Sequence, residues 1–292
     1  MKVGILTGGG DCPGLNPVIR AVVRKGLSEG YEIIGIKDGW KGLIENNTVV
    51  LDLNAVSGIL PKGGTILGTS RTNPYKKEGD LRKLKENFQK INLYALIAVG
   101  GEDTLGVAAK LIKDGIPNIV GIPKTIDNDL SSTDYTFGFD TAINTAMECI
   151  DKLHSTAESH HRIIVVEVMG RHAGWIAVEA GIAGGADIIL IPEIPIDMNE
   201  VCELIRKRHN RGKTFSIVVV AEGAKFKSGT LITQEEKLDE FGHIRLGGIG
   251  NKIAGDIEQK TGIETRVTVL GHLQRGGRPT TYDRVLSTKY GV

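Results

Sequence analysis

Short apolar, β-branched runs alternate along this chain with longer segments in which apolar residues recur every three or four positions. The short runs predict strands at Val3 to Thr7, Glu32 to Ile36, Leu93 to Val99, Ile119 to Ile122, Arg162 to Val168, Asp187 to Ile191, Phe215 to Ala221 and Arg266 to Leu270. The helical period marks Asn16 to Glu29, Gly79 to Gln89, Thr104 to Asp114, Asp140 to Ser159, Met198 to Asn210 and Gly250 to Lys260, because one face of an α-helix repeats at three- and four-residue intervals. Strand and helix taking turns is the pattern of βαβ units and a mainly parallel sheet, so the predicted class is α/β. Asp11-Cys12-Pro13-Gly14 breaks the chain ahead of the first helix, and Gly30, Gly115, Gly212 and Gly262 stand where helices should stop. One set of strands ends near Phe137 and a second begins after the long helix, which predicts a lobe boundary there. Asp283 to Tyr290 reads as a helix cut short without a cap, predicting a natural terminus beyond Val292.

At 292 residues the chain exceeds the usual domain of about 100 to 200 residues, so two lobes are expected, each burying its own core. A net charge of +1 supplies no global field for gripping nucleic acid or an anionic membrane. Any anionic ligand must therefore be held locally. Cys12, Cys149 and Cys202 are isolated, without C-x-x-C spacing, which argues against a disulfide framework or structural zinc and for a reducing compartment. No leader pattern opens the sequence and no apolar run approaches about 18 residues, so the cytoplasm is the expected location. Glycine is abundant, 39 of 292 residues, against a usual ~7%. Its placement at strand ends suggests backbone turned toward ligands at βα junctions.

Three of those junctions carry candidate chemistry. The first strand runs into Thr7-Gly8-Gly9-Gly10-Asp11-Cys12-Pro13-Gly14-Leu15-Asn16, a glycine turn whose N–H groups can face a phosphate at a helix N-terminus. Leu15-Asn16 replaces the Lys-Ser/Thr of a P-loop, and Pro13 takes the place of the third glycine of the dinucleotide fingerprint. On the glycines alone, phosphate binding and an ordinary tight turn are equally good readings. Gly100-Gly101-Glu102-Asp103-Thr104 follows another strand; its carboxylates either cap a helix or, beside phosphate, require a hard cation such as Mg²⁺. In Pro123-Lys124-Thr125-Ile126-Asp127-Asn128-Asp129, an extended chain would point Asp127 and Asp129 the same way, about 6 to 7 Å apart at roughly 3.3 Å per residue. One could then act as base while the other orients it, as phosphoryl transfer to an alcohol requires. Arg162, Arg171, Arg266 and Arg275 sit at strand edges or in glycine-bounded loops, where guanidinium forks suit phosphate oxygens.

Taken in order, these segments resemble the phosphofructokinase family over essentially the whole chain. The likeness rests on the opening glycine turn, Gly63-Gly64-Thr65-Ile66-Leu67-Gly68-Thr69-Ser70-Arg71, the Gly-Gly-Glu-Asp-Thr turn, Lys124 to Asp129, Met169-Gly170-Arg171 and Gly271 to Gly277. It implies two similar doubly wound, mainly parallel-sheet lobes, with 1–138 plus 274–292 holding the phosphoryl donor and Mg²⁺, and 139–273 holding the sugar phosphate. It implies that Asp127 takes the proton from the 1-hydroxyl of fructose 6-phosphate, supported by Thr125 and Asp129, and that Arg171 stabilises the phosphoryl group in flight. Gly9, Gly10, Arg71, Gly101, Asp103, Thr104 and Lys124 would meet the donor, with Glu102 and Asp103 around Mg²⁺. Met169, Gly170 and Glu222 would contact the sugar. His272 and Arg275 would hold its 6-phosphate, joined by Arg162 and Arg266 of a neighbouring subunit, which implies a homodimer or homotetramer.

ATP-using members of that family generally have glycine where Asp103 and Lys124 stand here, so the resemblance leans toward the branch that uses inorganic pyrophosphate, reversibly. A carboxylate about 4 Å from a phosphate charge costs roughly 4 kcal/mol at an effective dielectric constant near 20, before Lys124 compensates. Use of ATP is the first alternative. The second is a non-catalytic sugar-phosphate sensor, disfavoured because binding alone needs neither Asp127 nor Asp129. Arg20, Arg24, Arg211 and Lys213 resemble part of the cluster that binds regulatory nucleotide in bacterial relatives, but Leu53 and His154 replace two further arginines, implying little such control.

Overall fold

The computed structural model describes residues 1–292 apart from 117, 132, 228–232, 239, 240, 242 and 243, and the backbone alone for 233–238, 244 and 245. In chain order the elements are β1 (Lys2–Thr7), α1 (Leu15–Ser28), β2 (Glu32–Ile36), α2 (Trp40–Glu45), β3 (Thr48–Leu51), α3 (Asp80–Ile91), β4 (Leu93–Gly100), α4 (Glu102–Lys113), β5 (Ile119–Thr125) and β6 (Phe137–Gly138). The second half comprises α5 (Phe139–His160), β7 (Ile163–Val168), α6 (Trp175–Ala183), β8 (Ile188–Leu190), α7 (Met198–Asn210), β9 (Ser216–Ala221), β10 (Thr233–Leu238), β11 (Ile244–Leu246), α8 (Ile249–Thr261), β12 (Thr265–Val269), a 3₁₀ turn (Gly271–Arg275) and α9 (Thr281–Gly291).

The first sheet has the order β3-β2-β1-β4-β5-β6. All its neighbours are parallel except β3, which runs antiparallel along β2. The second is a four-stranded parallel sheet, β12-β7-β9-β8, and β10 and β11 form a separate antiparallel pair. Strand order in the first sheet reverses between β1 and β4, and open α/β sheets bind ligands at such a reversal, beyond the carboxyl ends of the strands.

Alternation along the strands explains the layering. In β1, Val3 and Ile5 join one apolar cluster with α1 and α5, while Leu6 joins another with α2, α3 and α4. Successive side chains point to opposite faces, and both faces are covered, so the strand reads as continuously apolar. The second sheet repeats this: Val166 and Ile217 face the same cluster as Val3, whereas Val165 and Val218 pack under α7 and α8. The layer around Phe139, Ala142, Ala146 and Ile150 of α5 is common to both sheets. The two lobes expected from length therefore do not bury wholly separate cores.

The eight strands and six helices read from periodicity are all present, shifted by a few residues at most, and the helix read at Asp283 to Tyr290 is α9. Four of the elements not read from the sequence lack a clear period, for different reasons. α2 spans 6 residues and β6 spans 2, too short to show a period. α6, Trp-Ile-Ala-Val-Glu-Ala-Gly-Ile-Ala, is apolar almost all round and has no polar stripe. β3 is an edge strand with Val49 and Val50 exposed.

The terminal helix is anchored, not frayed. Asp283, fully buried on α9, accepts from Gly138 N at 2.9 Å, Thr141 N at 2.8 Å and Thr141 Oγ1 at 2.5 Å. These are the open donors at the N-terminus of α5, whose own N-cap, Gly138, has no side chain to offer. Burial pushes the Asp283 carboxyl above its ordinary range, and the three hydrogen bonds pull it back. Replacing Asp283 with alanine strands those donors, at about 1 to 3 kcal/mol for a buried unsatisfied group. Asp283→Ala should therefore lose about 2 to 4 kcal/mol in urea unfolding; a loss below about 0.5 kcal/mol would show that the tie is dispensable.

Candidate active site

A cleft opens where β1, β4 and β5 end. It is lined by Gly9, Gly10, Asp11 and Cys12 after β1, Gly101 to Thr104 after β4, Lys124 to Asp127 with Asp129 after β5, and by Arg71, Arg171 and Arg275. This is the strand-order reversal, so topology alone delivers three separate glycine and acidic turns to one place. Of the residues expected at the site, those named for donor, metal and base converge here. Asp11, Cys12 and Ile126 line it as well, and none stood out from its neighbours in the sequence.

The floor is shaped by close packing. Thr104 crowds both Gly8 and Gly100, whose added Cβ atoms would lie 2.6 and 2.3 Å from its side chain. Gly9 is held in the left-handed region at φ 78°. Its N–H donates to Ser70 O at 3.1 Å and its carbonyl accepts from Thr69 Oγ1 at 2.6 Å, fastening the turn to the segment that carries Arg71. The Arg275 guanidinium lies directly on Gly10, where an added Cβ would stand 1.9 Å from it.

Lys124 is buried, and its ammonium donates to Gly10 O across the cleft. Burial holds its pKa below the ordinary lysine range, partly offset by Asp127 and Asp11. Arg275 Nε is also buried and has no hydrogen-bond partner among the described residues. Buried cationic groups with open donors are costly unless an anion completes them.

Asp127 is the centre of the arrangement. It is 5% exposed; its N–H donates to Thr125 Oγ1 at 3.1 Å, and that hydroxyl lies 3.4 Å from its Oδ2. Its Oδ1 is buried and has no hydrogen-bond partner among the described residues. Burial first, then the Asp129 charge, push Asp127 from 3.8 up to about 6, against the pull of Arg275, Arg171 and Lys124. Glu222 behaves similarly, pushed up to about 7 by burial and by Asp127.

The extended reading of this segment needs correction. β5 ends at Thr125, and Asn128 turns the chain in the left-handed region at φ 50°. The Asn128 side chain stabilises that turn by accepting from Thr136 N at 2.9 Å and Thr136 Oγ1 at 3.2 Å. Asp127 and Asp129 still both line the cleft, but by a bend instead of strand alternation.

On the opposite wall, β7 ends in Met169-Gly170-Arg171. Met169 N donates to Oε1 of the buried Gln274 at 3.3 Å, and Gln274 Nε2 donates to Gly271 O at 3.1 Å, tying this loop to the 3₁₀ turn that carries Arg275. Glu222, at the end of β9, accepts from Arg171 N at 3.3 Å. Met169, Gly170 and Glu222 are not on the lining of the cleft, and His272 is exposed and also outside it. Arg162 precedes β7 and Arg266 lies near the start of β12, at the far ends of those strands. There both pair with Glu264, Arg162 at 2.8 Å. Away from the cleft, His154 Nε2 is 2.7 Å from Gly184 O and its ring stacks edge-on against Phe215.

A buried carboxylate with a free oxygen, facing lysine and two arginines across glycine turns, defines a site for transferring an anionic group to a hydroxyl. The comparisons with known proteins agree. The family model described as Phosphofructokinase matches residues 2–292. The pyrophosphate--fructose 6-phosphate 1-phosphotransferase of Streptomyces coelicolor is 59% identical over 294 residues, covering 100% of this chain and 85% of that protein. The ATP-dependent 6-phosphofructokinase 3 of the same organism is 51% identical, with the same coverage. Among solved structures, Pichia pastoris phosphofructokinase in the T-state superposes with a TM-score of 0.88 at 33% identity, over 99% of this chain and 31% of that much longer one. The chain belongs to the phosphofructokinase family.

The Asp127 carboxyl carries a stability consequence. An acid whose folded pKa is raised has its stability fully present below the unfolded value, near 4, and loses it as pH rises through about 6. The charged group therefore costs up to about 3 kcal/mol above pH 6. Asp127→Asn should therefore melt several degrees above wild type at pH 8, with the gap closing toward pH 4. Equal or lower melting at pH 8 would contradict this.

Proposed function

We propose that this protein transfers a phosphoryl group from inorganic pyrophosphate to the 1-hydroxyl of fructose 6-phosphate, giving fructose 1,6-bisphosphate, and runs the reaction in both directions. The observation that carries the reading is the convergence in one cleft of the buried Asp127 carboxylate with Arg171, Lys124 and Arg275. In this reading Asp127 accepts the hydroxyl proton as the oxygen attacks phosphorus. Thr125 orients its other oxygen, and Asp129 keeps its proton affinity high enough to act near neutral pH. Arg171 meets the charge on the phosphoryl oxygens in flight, and the N–H groups of the Gly9-Gly10 turn face the donor.

The donor follows from Asp103 and Lys124. Lys124 reaches across to Gly10 O and so fills the floor beside the glycine turn, while Asp103 stands at the lip of α4. In this reading pyrophosphate lies beside these two side chains, and the further phosphate of a nucleotide would meet the Asp103 carboxylate. Similarity to relatives named for pyrophosphate, at 55% to 59% identity, supports the same choice.

The cleft holds four cationic side chains and five carboxylates, so bare pyrophosphate would meet repulsion on the α4 side. Glu102 and Asp103 supply hard oxygen donors, and no trio of ligating side chains occurs among the described residues. That set fits Mg²⁺, which takes one or two carboxylates and completes its shell with phosphate oxygens and water. When bound, Mg²⁺ neutralises charge that develops on the phosphates.

The sugar phosphate would lie against Met169, Gly170 and Glu222, with His272 and Arg275 toward its 6-phosphate. In this division 1–138 plus 274–292 serve the donor and 139–273 the sugar. Arg162 and Arg266 lie too far along their strands to reach their own cleft, so they would complete the sugar-phosphate site of a neighbouring copy, in a homodimer or homotetramer. Among the described residues no helix is long and apolar enough to cross a membrane.

Purified protein assayed with Mg²⁺ should show kcat/KM for pyrophosphate at least tenfold above that for ATP; the reverse order would overturn the donor assignment. Asp127→Ser should lower kcat by about 10² to 10⁴-fold with fructose 6-phosphate affinity retained. Unchanged kcat would favour a binding protein. For the wild type, kcat/KM should fall on the acid side with an apparent pKa near 6, where Asp127 takes up its proton.

A further inference from the structure

Arg171 has a main chain that arginine rarely adopts: its φ is 51°, in the left-handed region where a Cβ crowds the neighbouring peptide. Such backbones persist where surrounding structure holds them. Two residues after β9 do so here. Arg171 N donates to Glu222 Oε1 at 3.3 Å, and Arg171 O packs so tightly on Gly223 that a Cβ there would stand 1.6 Å from it.

Gly223 does not need to be glycine for its own backbone, since its φ is not positive. It is buried, and the other atom near its missing side chain, Leu246 Cδ1 at 3.5 Å, is in ordinary contact. The space is taken by the Arg171 carbonyl alone. Because the obstacle is backbone against backbone, no rotamer change relieves it.

We propose that the Glu222-Gly223 turn, and the absent side chain of Gly223 above all, positions Arg171 by letting the loop after β7 settle low enough for its guanidinium to reach the cleft beside Asp127. Gly223 is a positioning residue, acting through Arg171 and touching no substrate. This assignment rests on the phosphoryl-transfer reading above. It also bears on the base. The charges facing Asp127 are Asp129, Lys124, Arg171 and Arg275 in the cleft and Glu222 from the end of β9. If Arg171 withdraws, one cationic neighbour is lost and Asp127 holds its proton to higher pH.

The test is Gly223→Ala, assayed with pyrophosphate, fructose 6-phosphate and Mg²⁺. Displacing Arg171 by about 1 Å should lower kcat roughly 10²-fold. KM for pyrophosphate should stay within about threefold, because its contacts come from the turns after β1 and β4, from Arg71 and from Lys124 of β5, none of which packs on Gly223, and the acid limb should move upward. In an Arg171→Ala background the same change should lower kcat less than about twofold, since residues acting as one unit are not additive. Gly255→Ala on α8, where an added Cβ meets nothing within 4 Å, is the control and should match wild type.

Wild-type kcat and pH profile in Gly223→Ala would overturn the proposal, as would an equal loss in both backgrounds. If circular dichroism shows that Gly223→Ala does not fold, Glu222→Ala and Glu222→Gln take its place. Glutamine keeps an oxygen for Arg171 N, so it should restore at least tenfold of the kcat that alanine loses; equal kcat for the two would overturn the proposal. A wild type that transfers phosphoryl from neither donor refutes the functional reading itself, whereas an active wild type with an unimpaired Gly223→Ala refutes this inference alone.

Discussion

Everything at this site turns on keeping one carboxylate charged where water has been removed. Burial drives Asp127 toward its neutral form, and Asp129 adds to the push. Arg275, Arg171 and Lys124 oppose them from three different segments. Lys124 is in turn held below its ordinary range by its own burial. Neither set is comfortable alone. A site of mixed, partly unpaired charge is poised to gain from an anionic substrate, and the free energy released on binding can be directed at the reacting atoms.

Holding such a site requires stiff support, which comes from backbone geometry more than from ion pairs. Gly10 yields its Cβ volume to Arg275, and Gly8 and Gly100 yield theirs to Thr104. Asn128 takes up a turn that presents two aspartates. Gln274 links the loop bearing Arg171 to the turn bearing Arg275 through one buried carboxamide. These are short-range constraints that leave the reactive side chains little freedom to drift.

Much of the fold was legible because buried parallel strands and amphipathic helices carry strong periods, as β1, β7, β9 and α7 do. The cleft was partly legible for a different reason: glycine and acidic clusters directly after apolar runs can hardly be core, and Gly9, Glu102 and Asp127 all stand there. What could not be read depends on contacts distant in sequence. Gln274 and Asp283 look like ordinary polar residues until β7 and α5 are brought beside them. The bend at Asn128 is hidden from strand alternation, because β5 ends at Thr125 and the chain has left the sheet before Asp127. The far placement of Arg162 and Arg266 likewise depends on which end of a strand faces the cleft, a property of topology.

The common apolar layer around α5 also limits how the molecule can move. Phe139, Ala142, Ala146 and Ile150 belong to one apolar cluster that includes residues of both sheets, and Asp283 pins the start of that helix to α9. No slack connector separates the two halves at this point. Any narrowing of the gap between Asp127 and the wall bearing Arg171 must therefore proceed as a shear, with interlocked side chains slipping by fractions of a rotamer, and not as a swing about a hinge.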